Sequence, residues 1–329
     1  MSRLRVGLVF ELIGSLPPAA GRPADADAEY EPEETILHLE AALRELGHEP
    51  VRLGAPRALL ARAAQGAALG VDAALSIAEG EGSRNREAWA PVLLEMLGIP
   101  ALGSDALSLS LSLDKLWAKQ IAAAAGVPCA AGVSVESAAE AEAAAAPLGF
   151  PLFVKPRWEG TAKGIRRSSR VAAPAALAAE VERVVGSYRQ PALVEAFLPG
   201  AEYTICVVGT PPRALPVLQR ALERESGIGV HALAREGALA HHTPGELTPA
   251  LEESLAAHAL AAFRALRCVD FARVDFKLDA AGRPAFLEIN PLPTFAGDGS
   301  FAILAELLGV PYATFLAGVI REGLRRLGL

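Results

Sequence analysis

The stretch FLEINPLPTFAGDGSF, residues 286–301, sets a carboxylate and an amide two positions apart where an apolar run ends. Side chains on an extended chain repeat every second residue, so Glu288 and Asn290 point to one face. Upstream, FARVDFKLD does the same with Arg273 and Asp275. The link between them contains AAGR, a hairpin signal, so the two strands are expected to pair antiparallel. Three oxygen donors and one guanidinium could then converge on one side of a two-stranded ribbon. Hard oxygen donors in this small number suit Mg²⁺, which completes its shell with water and phosphate. A solvent-facing strand also alternates polar residues, but here both strands carry the pattern and NPLPTF follows the second directly.

A second group of residues could meet the phosphates. Lys155 follows an apolar run in FPLFVKP and is pinned by Pro156 at the end of a buried strand. RWEGTAKGI comes next, with Gly160 and Gly164 flanking Thr161 and Lys163. Such a loop lets backbone N–H groups approach phosphate closely, although surface turns share its composition. It is not a Walker loop, since GxxxxGK[ST] is absent, and no GxGxxG follows the first strand. The missing fingerprint counts against a hydride-transfer enzyme. Lys115, in LSLDKLWAK, is either a further phosphate contact or a solvated helix lysine.

The elements that must hold these groups follow from periodicity. RVGLVF (5–10) is a buried-strand pattern, and the Pro/Ala/Asp-rich stretch 15–29 reads as a mobile loop. EETILHLEAALRELG has helical spacing with Ile36, Leu39, Leu43 and Leu46 on one face. EPVRLG, a short helix, VDAALSIAEG, a helix over EAWAPVLLEMLG and IPALG continue the alternation. That order implies an open parallel α/β sheet with ligands at the strand carboxyl ends. One helix is expected from Ser104 or Asp105 to Gly126, leading to a small α+β module from Val127. A third unit opens at EYTICVVG, carries an irregular segment over 220–248, and closes with helices at 300–308 and 312–327.

Composition sets bounds. The 329 residues are 52% hydrophobic and 21% charged, which describes a folded globular protein. The net charge of −7 argues against a polyanion-binding surface, so no nucleic-acid or membrane partner is expected. Cys129, Cys206 and Cys268 have no metal-ligand spacing and read as buried thiols in a reducing compartment. The opening MSRLRVGLVF is interrupted by Glu11 too soon for a signal peptide, and the Ala-rich runs are broken before a membrane span is reached. A cytoplasmic protein is expected.

Taken in order, SLDK, FVKPRWEGTAKG, LVEAFLPGAEYT, ARVDF and FLEINPLP resemble the motifs of the ATP-grasp ligases, most closely the D-alanine–D-alanine ligase group. The likeness spans nearly the whole chain. It implies a three-domain α/β and α+β ATP-grasp fold, with an N-terminal open parallel sheet and nucleotide held between two α+β domains. The expected divisions are 1–105, 106–198 and 199–329. It also implies ATP and a pair of Mg²⁺ ions (Mn²⁺ as an alternative), small carboxylate and amine substrates such as amino acids, and a homodimer.

By match, Lys115 and Lys155 touch phosphates, Glu195, Ala196 and Leu198 belong to the segment that holds adenine, and Glu202 takes the ribose hydroxyls. Asp275, Glu288 and Asn290 ligate the metal ions, and Arg273 stabilises an oxyanion. The loop of Gly160 and Thr161 closes over the γ-phosphate. The reaction implied is ADP-forming carboxylate–amine ligation through an acyl phosphate.

The chain departs from the family in its substrate half. The glutamate that grips the first amine is best matched by Glu31, with Glu33 and Glu34 as rivals; all three also suit an acidic first helical turn. Glu79 stands where the family often has histidine. A Lys-Tyr pair is missing from the later loop, where His231, Arg235, His241 and His242 are its possible substitutes or plain solvated residues. Thr294 replaces a glycine, and the serine expected to hold a carboxylate would be Ser300, one residue out of register. D-alanyl-D-alanine, another dipeptide or an amide all remain as products. A nucleotide-binding protein without turnover is the competing reading.

Overall fold

The computed structural model describes residues 3–17, 20–236 and 239–329, the side chains of 235 and 236 excepted. The N-terminal sheet contains β1 (Arg5–Val9), β2 (Glu49–Gly54), β3 (Ala73–Ser76) and β4 (Ala101–Leu102), ordered β2-β1-β3-β4 with every pair parallel. Helices α1 (Glu33–Glu45), α2 (Pro56–Ala64) and α3 (Trp89–Met96) lie among these strands in the chain. Val6, Leu8 and Val9 are fully buried, as a strand covered on both faces requires. Ile36, Leu39 and Leu43 form the apolar stripe of α1, while Glu33 and Glu34 occupy its first turn.

The single helix expected between residues 104 and 126 is instead two, α4 (Ala106–Leu113) and α5 (Lys115–Ala124), divided at Asp114. Asp114 accepts from the Trp117 backbone N–H at 3.1 Å and from Nε and Nη2 of Arg157, each at 2.8 Å. A short carboxylate that caps the next turn competes with helix continuation. Its guanidinium partner lies 43 residues away, so local periodicity carries no sign of the break. The break starts α5 at Lys115.

The central sheet is antiparallel, ordered β5-β8-β6-β7, from β5 (Gly132–Val135), β6 (Leu152–Pro156), β7 (Arg170–Val171) and β8 (Ala192–Ala196). Helices α6 (Ala138–Ala145) and α7 (Pro174–Tyr188) bury Ala141, Leu177, Val181 and Val184 against Leu152, Val154 and Val194. In the C-terminal sheet, β9 (Glu202–Val208) pairs at one edge with β10 (Arg213–Ala214) and β11 (Leu218–Arg220). The segment 220–248, expected to be irregular, includes β12 (Leu222–Glu223) paired with β13 (His241–His242). After α8 (Pro249–Ala265), the sheet continues through β14 (Phe271–Leu278) to β15 (Pro284–Asn290).

Alternation along β9 gives the C-terminal sheet two different faces. Tyr203, Ile205 and Val207 share a core with Leu255, Ala259 and Phe263 of α8. On the other face, Cys206 and Val208 join a core shared by β1, α1, α9 (Ser300–Leu307) and α10 (Tyr312–Arg326). The N-terminal sheet and the C-terminal helices are therefore packed as one body. Among the described residues no single helix is long and apolar enough to cross a membrane.

The stretch 15–29, expected to be a mobile loop, is tied down in its described part. Asp25 accepts from the Gly164 N–H at 3.0 Å and from the Tyr188 hydroxyl at 2.9 Å, and Arg22 pairs with Glu81 at 2.7 Å.

Asp270 makes the principal polar tie near β4. It is 1% exposed, accepts from Arg326 Nε at 2.6 Å and Nη2 at 2.8 Å, and receives the Gly103 N–H at 2.8 Å. Asp270 has left-handed backbone (φ 63°), which Asn tolerates. Asp270→Asn therefore tests the carboxylate without backbone strain. It is expected to cost about 2 kcal/mol, seen as a lower urea midpoint at unchanged slope; an unchanged midpoint would remove this tie from the account.

Candidate active site

The floor of the site is set by strand register. Asp275 lies directly opposite Glu288, and Arg273 opposite Asn290, across β14 and β15. On the other side of β14, β9 places Thr204 opposite Asp275 and Glu202 opposite Lys277. All of these side chains except Asn290 border a cavity of about 360 Å³ together with residues of β6, β8 and the glycine loop. Arg273 Nε donates to Asp275 Oδ2 at 2.9 Å, and Thr204 Oγ1 donates to Asp275 Oδ1 at 2.7 Å. Lys115 Nζ meets Glu288 Oε2 at 2.8 Å, while Arg273 Nη2 is 3.8 Å from Glu288 Oε1. Burial alone would raise the Glu288 carboxyl, but Lys115, Lys155 and Arg273 together hold it down to about 2.

The opposite wall carries a buried lysine pair. Glu195 on β8 receives Lys155 at 2.8 Å on one oxygen and Lys119 at 2.8 Å on the other. Its carboxyl is lowered against the effect of burial by these two ammonium groups. Burial pushes the Lys119 ammonium down despite Glu195, whereas Glu195 and Glu288 outweigh burial at Lys155 and push it up. Lys119 also donates to the Phe286 carbonyl at 2.7 Å, fixing α5 against β15. Apolar surface from Ala130, Phe153, Ile165, Phe197, Leu198 and Leu287 lines the cavity beside these charges.

The glycine loop forms the rim. Thr161 and Ala162 both hold left-handed backbone, at φ 46° and 56°, closed by the Lys163 N–H on the Gly160 carbonyl at 2.9 Å. Glu29 is docked against this turn. Its Oε1 accepts from the Gly160 N–H at 2.6 Å and Arg86 Nη2 at 2.8 Å, and its Oε2 pairs with Lys163 at 2.9 Å. A Cβ at position 160 would stand 2.7 Å from Glu29 Oε1, so a side chain there would displace that carboxylate. Arg86, 2% exposed, also faces Glu79 at 3.2 Å, Glu87 at 3.5 Å and Glu159 at 3.6 Å. Against burial, Arg86 and Lys163 hold Glu29 down to about 2; burial raises Glu79 well above the usual range and Glu87 to about 7.

Of the residues expected from sequence, Lys115, Lys155, Thr161, Glu195, Ala196, Leu198, Glu202, Arg273, Asp275 and Glu288 line this one cavity. Gly160, Asn290 and Glu31 do not. Asn290 Oδ1 accepts from the Leu292 N–H at 3.0 Å. Glu31 accepts from Thr35 and Thr294 at 2.8 and 3.0 Å, and of these Thr294 lines the cavity. The rivals Glu33 and Glu34 pair with Arg52 at 2.6 Å and His38 at 3.4 Å. His231 reaches the cavity, 3.4 Å from Glu202, whereas His241 and His242 form β13 and the Arg235 side chain lies outside the described residues.

Three participants were not found from sequence. Lys119 sits four residues after Lys115, a spacing that shares a helix face. Lys277 extends the period-two pattern of Arg273 and Asp275, and lies 3.8 Å from Glu202. Glu29 gives no local signal, since its partners come from distant segments.

An antiparallel floor of carboxylates and a guanidinium, facing a lysine-bearing sheet under a glycine loop, defines a nucleotide-dependent ligase site of the ATP-grasp type. A family model described as "D-ala D-ala ligase C-terminus" matches residues 121–321. The D-alanine–D-alanine ligase of Alkalilimnicola ehrlichii is 31% identical over 234 residues, 71% of this chain and 73% of that protein. An uncharacterized protein, y4sG of Sinorhizobium fredii, is 32% identical over 299 residues, 87% of this chain and 86% of its own. Among solved structures, a D-alanine–D-alanine ligase from Bacillus anthracis complexed with ATP superposes with a TM-score of 0.73 at 23% identity, covering 98% of each chain. The chain belongs to the D-alanine–D-alanine ligase family and is an ATP-dependent C–N ligase.

The Arg86 cluster generates a pH test. Glu87 has its carboxyl raised by burial, so the unfolded chain ionises first as pH rises from about 4.5 to about 7. Native stability falls across that window and is level above it. Glu87→Gln is expected to melt higher than wild type at pH 8, by at most about 3 kcal/mol, with the gap closing toward pH 4.5. A gap that widens on acidification would contradict a raised carboxyl.

Proposed function

We propose that this ligase joins the carboxylate of one amino acid, or a similar small acid, to an amine through an acyl phosphate, releasing ADP and phosphate. The observation that carries this reading is the Asp275–Glu288 pair with Arg273 and Lys115 around it, aimed into one cavity with Lys155. A substrate carboxylate oxygen attacks the γ-phosphorus and ADP leaves. The amine then attacks the acyl carbon, phosphate departs and the new amide nitrogen loses a proton. Both steps gather negative charge, which Lys115, Lys155 and Arg273, all lining the cavity, are placed to offset.

The donor set fits Mg²⁺ carried by the nucleotide. Among the described residues no three His, Cys, Asp or Glu side chains group to hold a metal by themselves. Asp275, Glu288 and the amide oxygen of Asn290 would hold the ions, with phosphate and water filling the remaining positions. Bound there, Mg²⁺ supplies Lewis-acid charge against the phosphate oxygens.

The remaining roles extend the same reading. Ala196 and Leu198 offer apolar and backbone contact for adenine, Glu195 holds Lys155, and Glu202 accepts ribose hydroxyls. Gly160 and Thr161 cover the γ-phosphate, with Glu29 holding that loop in place. Glu31 acts on the first substrate's ammonium through Thr294, whose hydroxyl it orients. We assign the protein to the cytoplasm, supported by three free cysteines and the nucleotide requirement. We also assign it to a homodimer, supported by the exposed Leu60, Val92, Leu107 and Trp117 around one apolar groove. The substrate-side, central and catalytic units correspond to 1–105, 106–198 and 199–329.

Purified protein with Mg·ATP and pooled L- and D-amino acids should release phosphate and yield condensed masses. Glu288→Gln should lower kcat by about 10²–10³-fold with an unchanged far-ultraviolet dichroism spectrum. ATP binding with no turnover in any pool would favour a protein that acts by binding, and wild-type rates in Glu288→Gln would mean the metal site lies elsewhere.

A further inference from the structure

Lys277 is a buried ammonium to which the proposed chemistry gives no task. It lines the cavity, its side chain is 7% exposed, and it stands directly opposite Glu202 across β14 and β9. Directly opposed residues share one face of a sheet, so register alone brings the two charges together. Lys277 Nζ lies 3.8 Å from Glu202 Oε2, donates to the Gly227 carbonyl and sits 5.5 Å from the centroid of the Phe197 ring. Two residues further along β14 than Asp275, it is displaced from the reaction centre by roughly 7 Å. We propose that Lys277 is a positioning residue for nucleotide selection: it fixes the Glu202 carboxylate so that the two oxygens take the two hydroxyls of a ribose. The inference rests on the ligase reading, in which Glu202 accepts those hydroxyls.

Each Glu202 oxygen has one flanking nitrogen. Oε2 faces Lys277, and Oε1 lies 3.4 Å from His231 Nε2. The two flanks are unequal, since the His231 side chain is 52% exposed and that of Lys277 is not. Lys277 is therefore the partner that water does not replace. An ionised carboxylate has about four lone-pair sites on its two oxygens. With one site on each oxygen turned to a flanking nitrogen, one on each remains for the cavity. Two adjacent acceptors suit the two adjacent hydroxyls of a ribose. A 2′-deoxyribose leaves one of them unmet, at a cost in affinity.

The Gly227 carbonyl extends the same role to the chain beside this end of the cavity. Arg170 on β7 donates to the carbonyls of Glu225 and Ser226, so two cations from two sheets hold three consecutive carbonyls. Arg170 also lies over the Phe197 ring, 4.7 Å from its centroid. Further along, Ile228, Ala232 and Leu233 pack with Phe153, Ala162 and Ile165. His231 reaches Glu202 from within this anchored segment. Lys277 thus acts on Glu202 twice, by its own charge and through the carbonyl that ties down the segment carrying His231.

The test is calorimetric titration of Mg·ADP and Mg·2′-deoxy-ADP into wild type, Lys277→Met and Lys277→Arg, with no acid or amine present. Wild type should bind ADP at least about 10-fold more tightly than the deoxy form. Lys277→Met keeps the bulk of the stem; it should weaken ADP about 10-fold and the deoxy form by no more than about 2-fold, nearly abolishing the preference. Lys277→Arg should restore part of it. Glu202→Gln should lose the same preference, and adding Lys277→Met to it should produce no further loss. Equal weakening of both nucleotides in Lys277→Met, a preference that survives it, or no preference in wild type overturns the proposal. If Lys277→Met does not fold, as a lost melting transition would show, Lys277→Gln repeats the comparison and is read the same way. Failure of wild type to turn over any amino-acid pool defeats the ligase reading instead, and the titrations still decide the role of Lys277.

Discussion

A charge withdrawn from water needs an opposite charge in reach, and that constraint arranges this site. The pairs are not equivalent. Glu195 is 4% exposed and clamps two lysines that are nearly as buried, so this triad holds α5, β6 and β8 together. Glu288 is 22% exposed and shares Lys115 and Arg273 with the cavity mouth. On the ligase reading, the second pair is the exchangeable one. A metal-bearing triphosphate would offer Lys115 a phosphate and Glu288 a cation, so both charges would stay compensated. The triad cannot make that exchange without stranding a buried ammonium.

Register makes the exchange possible, because Asp275 and Glu288 are directly opposed only in the observed pairing of β14 with β15. A slip by one residue would turn one carboxylate into the apolar face shared with α8. That face is filled by Val274, Phe276, Phe286 and Ile289, which fix the alignment through packing. These four apolar side chains thus position a site whose cavity they do not line. The N-terminal region reaches the same site by a different route, with Glu29 bridging Arg86 to the glycine loop.

Features encoded by short-range spacing were the legible ones. Period-two alternation was enough to place Arg273 and Asp275 against Glu288, and the hairpin turn supplied their antiparallel sense. The parallel N-terminal sheet and the closing helices likewise follow from local apolar patterns. What escaped was set by partners far along the chain. Asp114 breaks a helix because Arg157 and Trp158 meet it from the glycine-loop side. The short strands β12 and β13 are too brief for any periodicity to register. Glu29 and Glu31 are indistinguishable in composition; only the fold turns one onto Gly160 and the other onto Thr294.

This contrast also bears on how the two sides of the site tolerate substitution. Lys155, Glu195, Glu202, Arg273, Asp275 and Glu288 are held in charge-compensating pairs with one another and with Lys115, Lys119 and Lys277. Changing one member strands another, so such a network resists piecemeal change. The stretch around Glu29 and Glu79 is different, since Arg86 there faces four carboxylates and burial already raises two of them. An over-supplied cluster can lose or gain an acid without leaving a cation bare. The Arg86 cluster therefore has charge to spare, whereas each carboxylate on β14 and β15 is needed by the cation that faces it.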